Sequence, residues 1–386
     1  SIGLYQPQGE YSVGSQYAGN AAIQNSDLAN PDLQWEQSKT FNFGSDIGLF
    51  NNRFSILFDT YRRVTSNLLT TLALPRYTGF NTVYTNLGSL ENEGIELELG
   101  AQVFSSKSTL QWNVSFNAAR VRNKILKLPF NNIENNRVGG FLVWDPSRGD
   151  YAWLGGLQEG GRIGNQFAYK QIGIYATDAE AAKGPLDTQV PGTNKTKYGG
   201  DVNWADLDAN GTIDSRDRVE VGNIYPTWTG GFSNSLRYKN LNLVIRMDYT
   251  TGHTIYNEPK ARLVGQFSGQ AGLSTDVLRS WQKEGDITDI PKFYWADQQA
   301  QNNLFRGNSY YYQLGDFLAL RELTLGYTLP AKLLNSLKLN NARFTLSGNN
   351  LHYFTKYTGL NPEEGGTDAG RYPIPRSVVF GANITL

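Results

Sequence analysis

The chain has no cysteine, one methionine and two histidines among its 386 residues. Without cysteine there can be no disulfide framework, no thiolate metal site and no thiol nucleophile. A charge excess is missing too. Lys plus Arg and Asp plus Glu stand at 35 each, so nothing in the balance points to nucleic acid or an acidic partner. No stretch approaches the ~18 consecutive apolar residues of a transmembrane helix. Membrane strands stay open, because lipid-facing and lumen-facing residues alternate along them and average to a polar composition. The chain starts at Ser1 with neither a basic n-region nor an apolar h-region, so any export signal is expected upstream or already removed. Aromatic residues and glycine are plentiful, with 22 Tyr, 19 Phe, 8 Trp and 41 Gly, and the glycines follow no collagen-like period.

The dominant pattern is period-2 alternation. Ile95, Leu97, Leu99, Ala101 and Val103 alternate with Glu96, Glu98, Gly100 and Gln102. After the turn at 105–108, Leu110, Trp112, Val114, Phe116 and Ala118 alternate with Gln111, Asn113, Ser115 and Asn117. The same two-faced design predicts nine strands, at 37–49, 53–66, 93–104, 109–121, 228–238, 241–251, 317–329, 341–351 and 377–386. Each is close to the ~9–11 residues that cross a bilayer at a tilt. Connections alternate between short (50–52, 105–108, 239–240, 330–340) and long (67–92, 122–227, 252–316, 352–376). Tight periplasmic turns and long extracellular loops make that alternation in an outer-membrane barrel, whereas a soluble Greek key has no reason to keep it. The expected fold is therefore all-β: a transmembrane antiparallel barrel with long extracellular loops and a periplasmic C-terminus.

Nine strands are odd, and closed barrels of this class have an even number. Residues 1–36 have room for the end of a tenth. The expectation is that 1–386 is the C-terminal part of a larger barrel, with upstream strands supplied by an N-terminal remainder. An open sheet in lipid would leave backbone groups unpaired.

Several segments carry a resemblance. Asn30-Pro31-Asp32-Leu33-Gln34-Trp35-Glu36 is similar to the "NPDLKWE" that begins a barrel strand in SusC/RagA-type proteins. Pro75-Arg76-Tyr77-Thr78-Gly79-Phe80, then Asn86-Leu87-Gly88 and Asn92-Glu93-Gly94-Ile95-Glu96, resemble that family's next loop. Leu278-Arg279-Ser280-Trp281 and Thr288-Asp289-Ile290-Pro291 resemble "LDRW…TDIPR", with Lys292 where Arg is usual. The run from Asp316 to Pro330 resembles "SYLRLRNLTLGYTLP", and Gly348–Leu351 with Thr355–Glu363 resembles "GQNLFTFTKYTGYDPE". Leu386 ends the chain where Phe is commonest. The resemblance implies a TonB-dependent importer of an oligomeric nutrient, glycan or peptide. Its barrel would be plugged by an N-terminal domain that contacts TonB, and a SusD-like surface lipoprotein would cover its loops. Plugged lumens of this kind belong to 22-stranded transporters. The plug is not within these residues. A docking barrel that moves no substrate and an unplugged diffusion porin remain open as alternatives.

No catalytic constellation emerges, and an enzyme is not expected. His253 and His352 lie at strand ends without triad partners, and Glu96 and Glu98 share a polar strand face. The glycines at 155–156 and 160–161 lack the strand–turn–helix setting of a phosphate loop. Trp35, Tyr61, Trp228 and Tyr327 fit an interfacial girdle. Trp144, Trp153, Trp204, Trp281, Trp295 and Tyr310-Tyr311-Tyr312 fall in loops, where they either anchor a partner or ligand or knit the loops together.

One loop has metal-ligand spacing. Asp206, Asp208 and Asn210 occupy positions 1, 3 and 5 of a twelve-residue calcium loop, and Gly211 the sharp turn at 6. Thr212 offers its carbonyl at 7, Asp214 acts through water at 9, and Asp217 stands for the usual Glu at 12. Ile213 is expected to point inward. No helical pattern flanks the loop, so a structural Ca²⁺ stiffening an extracellular loop is expected.

Overall fold

A computed structural model describes residues 8–386 apart from 75–77, 106, 146, 191–192, 266–271, 295–302 and 304–305. Trp295 and the segment 75–77 thus lie outside the described residues. The main element is an antiparallel nine-stranded meander. Its strands are β1 (Gln37–Leu49), β2 (Phe54–Ala73), β3 (Thr82–Gln102), β4 (Leu110–Lys127), β5 (Trp228–Tyr238), β6 (Leu241–Thr251), β7 (Phe317–Thr328), β8 (Asn341–Thr355) and β9 (Ser377–Thr385). Each pairs with the next in sequence, leaving β1 and β9 at the two edges. All nine fall where alternation predicts them.

Register makes the alternation continuous across the sheet. Residues directly opposite in an antiparallel pair share a face, and Ile47, Ile56, Leu99, Phe116, Phe232 and Met247 form one row. A second row runs Trp112, Leu236, Leu243, Leu325, Leu346 and Phe380. The reverse face aligns Glu98 with Asn117, Gly231 and Asp248, and Arg246 with Glu322, whose charges approach to 3.3 Å. A slip of one residue in any pairing would turn an apolar set onto the polar face.

Three local expectations change. The 67–92 segment is not a long loop: β2 and β3 are 20 and 21 residues long and leave only 74–81 between them. At ~3.3 Å per residue each would reach ~65 Å, twice the ~30 Å hydrocarbon layer, so this hairpin stands far beyond the membrane. Asn86 holds its base, donating to the Asn67 and Gln34 carbonyls at 2.8 Å each and accepting from the Gln34 amide at 2.7 Å. Glu36 accepts from the Leu69 amide at 3.1 Å, so the 30–36 segment is strapped onto the hairpin. Second, residues 10–27, where a tenth strand was expected to end, form a separate hairpin of Glu10–Tyr17 with Asn20–Asp27. Third, Tyr61 leaves the outward girdle. It opposes Gly94 on the polar face, and a Cβ on Gly94 would lie 2.3 Å from its ring, so glycine there makes room for the aromatic.

The three long connections, now 128–227, 252–316 and 356–376, fold together with cores of their own. Strand Asn165–Tyr169 pairs with Arg218–Asn223, and Gln171–Ile174 with Val202–Trp204. Thr254–Asn257 joins Tyr312–Leu314 on one side and Gly366–Asp368 on the other, bringing the second and third connections into one small sheet. Tyr169, Val202, Trp204 and Ile213 pack as one buried cluster, Ala261 and Tyr311 as another.

Candidate functional site

The loop aromatics resolve first. Trp204 is 2% exposed and Tyr311 is fully buried, so neither can anchor an outside partner, and for these two the loop-knitting reading holds. Trp204 meets Tyr169 edge-on at 6.1 Å, and the Arg306 guanidinium lies 4.7 Å from its ring. Trp281 donates to the Ala176 carbonyl at 3.0 Å, and Trp144 packs edge-on against Tyr151 at 5.3 Å. Tyr310 donates to Asp289 at 2.7 Å beneath the Lys260 ammonium.

A buried ionic network ties the first two connections, with no counterpart among the expected site residues. Asp187, wholly buried, accepts from Lys197 at 3.0 Å and from Arg306. Lys197 also donates to Asn303 at 3.1 Å, and Asn303 passes the chain to Asp201 at 2.9 Å, where Tyr294 donates at 2.7 Å. Burial pulls the Lys197 ammonium below its ordinary value, with Asp187 and Asp201 opposing. The charges are matched, two carboxylates against two cations, as a buried ion pair requires.

The 206–217 loop brings together part of the expected ligand set. Oxygens of Asp206, Asp208 and Asp217 lie within 4.8 Å of one another. Gly211 makes the sharp turn at φ 80°, its amide donating 2.8 Å to Asp206. Asp217, 1% exposed, is held by the Leu207 and Asp214 amides at 2.8 Å each. Burial, ahead of the Asp208 and Asp206 charges, pushes its carboxyl up to about 6. The Asp206 carboxyl is raised as well, mainly by burial, and its Oδ1 is buried without a hydrogen-bond partner. Ile213 points inward, 1% exposed. Asn210 donates to Asp208 at 2.7 Å but turns its carbonyl to Thr212. Thr212 pairs with Leu186 in a two-residue parallel ladder. Asp214 stands apart from the carboxylate cluster because its oxygens are taken by the Arg216 guanidinium and amide. Tyr151, from the hairpin Phe141–Leu154, donates to Asp208 at 2.9 Å, a partner the loop spacing could not reveal.

The histidines serve structure. His253 is 3% exposed with Nε2 3.0 Å from the Pro362 carbonyl, and His352 packs on Phe354 at 4.6 Å. Glu96 lies opposite Asp59 on the polar wall.

These features coincide with a known architecture. The model of the TonB-dependent receptor-like β-barrel family matches residues 4–351. The chain belongs to this family. The receptor chain is 31% identical over its whole length to TonB-dependent receptor P3 of Formosa agariphila, of which it covers 38%. It is 27% identical to TonB-dependent receptor SusC of Bacteroides thetaiotaomicron, matching over 92% of itself and 32% of that protein. A solved structure of the RagAB peptide transporter superposes on all of the receptor chain with a TM-score of 0.72 at 25% identity, covering 39% of the matched chain. The RagAB peptide importer in its 'closed-closed' state gives the same TM-score at 26% identity. The receptor chain is of the SusC/RagA type, lies in the bacterial outer membrane, and spans less than two fifths of these relatives. Its relatives are named as receptors and transporters.

Proposed function

We propose that the full-length protein actively imports an oligomeric nutrient, a glycan or a peptide, using energy relayed by TonB. In this reading a SusD-like lipoprotein caps the folded loops, and an N-terminal remainder supplies the plug and the missing strands. The observation that carries it is the two-faced meander with a folded loop assembly at one end, in a chain related throughout to TonB-dependent receptors. Its polar face mixes Asn113, Asn117, Arg246, Asp248 and Arg343, which suits a hydroxyl-rich or amide-rich solute better than an ion of one sign. Cells lacking the protein and cells lacking TonB should lose uptake of the same oligomer while monomer uptake persists. Undiminished uptake without TonB would put the diffusion porin in its place, and no uptake defect in either strain would favour the docking barrel.

We also propose that the 206–217 loop holds one structural Ca²⁺. A hard cation of this size takes oxygen ligands in an adaptable shell. The clustered Asp206, Asp208 and Asp217 carboxylates would carry the site, with Asn210, Thr212 and Asp214 as the further positions that the spacing assigns. Calcium-dependent protection of this loop from protease tests the assignment.

A further inference from the structure

The outward face of β1–β9 is apolar over its middle, but its rim differs from one part of the sheet to another. Over β6–β8 the outermost outward residues include Tyr249, Leu318 and Phe354, which oppose one another across the ladder. Over β2–β4 the same face turns abruptly to charge. Directly beyond the row of Phe58, Leu97 and Ala118 come Thr60, Ile95 and Arg120; then Arg62, Glu93 and Arg122; then Val64, Glu91 and Lys124. Pairing register puts all of these on the lipid side.

The charges do not cancel. Arg62 is engaged with Glu91 and lies 3.8 Å from Glu93. Arg120 stands 5.7 Å from the ring of Trp228, which shares the outward face of the neighbouring strand. Arg122 and Lys124 are exposed and form no ion pair among the described residues. A groove of about 390 Å³ opens among Phe41, Arg62, Glu93, Ile95, Arg120 and Arg122. Its floor is greasy, and its upper lip sets three guanidinium groups against the one carboxylate of Glu93. The patch sits where the apolar band ends on the loop side, at the level of the outer-leaflet headgroups, and the β2–β3 hairpin rises above it. An outward basic cluster there costs desolvation unless an anion meets it. Paired guanidinium and ammonium groups over an aromatic-lined apolar surface match a phosphate carried on acyl chains.

We propose that this patch is a binding site for the phosphorylated glycolipid of the outer leaflet, lipopolysaccharide. Arg120, Arg122 and Lys124 clasp its lipid A phosphate, and its acyl chains lie along Phe41 and Ile95. The inference rests on the outer-membrane location and not on what the barrel transports, so it can fail while the import reading stands.

The test uses the full-length transporter in mild detergent, titrated with lipid A and with enzymatically dephosphorylated lipid A, bound lipid being counted by native mass spectrometry. The wild-type protein should bind the phosphorylated form at roughly ten-fold lower concentration. Arg122→Glu/Lys124→Glu should abolish that preference, and Arg122→Gln/Lys124→Gln should weaken it. Lys356→Glu, a charge reversal beyond the end of β8, should leave it unchanged. Heat-modifiable migration on gels checks that each variant is folded. The wild-type comparison needs no variant. Equal binding of the two lipids by wild-type protein, or a preference surviving in the folded Arg122→Glu/Lys124→Glu variant, overturns the proposal.

Discussion

Asp217 is the residue on which the proposed calcium site turns. Its carboxyl is raised from 3.8 to about 6 by burial and by the neighbouring Asp208 and Asp206 charges. Without metal, a raised carboxyl stabilises the folded loop while protonated. That contribution is complete below the ordinary value and is lost as pH rises through 6. The metal-free loop should therefore open to protease at pH 7 more readily than at pH 5. Calcium reverses the order, because it needs the carboxylate. Its affinity should fall about ten-fold for each unit of acidification below 6. Cutting within 195–225, followed with calcium and with chelator across this range, measures both trends. Asp206→Ala/Asp208→Ala should be cut alike in either buffer, and wild type cut identically with and without calcium would remove the site. Sequence spacing was enough to unite Asp206, Asp208 and Asp217, because a single loop carries all three. It could not foresee that Arg216, two residues away, would capture Asp214, or that Tyr151 would reach in from another hairpin.

Strands were legible wherever one face meets lipid and the other water, since that contrast is what writes alternation into a chain. The outer parts of β2 and β3 have no such contrast. Beyond the membrane both faces meet water, so Thr70, Thr71, Val83 and Thr85 read as loop although their β-branching suits strand. What holds them is local. Asn86 makes three hydrogen bonds, to the Asn67 carbonyl and to the backbone of Gln34. Asn86→Ala should cost ~1–3 kcal/mol of local stability. Amide exchange across 30–36 and 67–88 should accelerate, while exchange in β6 to β8 stays as it was. Unchanged exchange at the strap would mean that the β2–β3 ladder holds without it. The small loop strands were illegible for another reason. Two to six residues long, they pair with partners far away in sequence, in one case across two connections, and no local period marks them.

At the scale of the whole molecule, the meander ends on two strands, β1 and β9, that do not pair with each other. Each unpaired backbone group in lipid costs several kcal/mol. These 386 residues, refolded alone in detergent, should give no compact, heat-modifiable monomer; such a species would show that the two edges can meet. The loop assembly has a mechanical consequence. Neutralising Asp187 would strand Lys197 and Arg306 in the interior, at ~3–5 kcal/mol for a broken buried pair. While the network is intact, the connections 128–227 and 252–316 form a single lever. A mouth that opened would then be expected to pivot at the roots of the connections, one of which is Gly252 with a φ of 82°, and not to flex within. Spin labels at Lys183 and Lys283, one on each connection and both exposed, should report one narrow distance whether substrate is present or absent. In Asp187→Asn the distribution should broaden, the lever having become two loose arms.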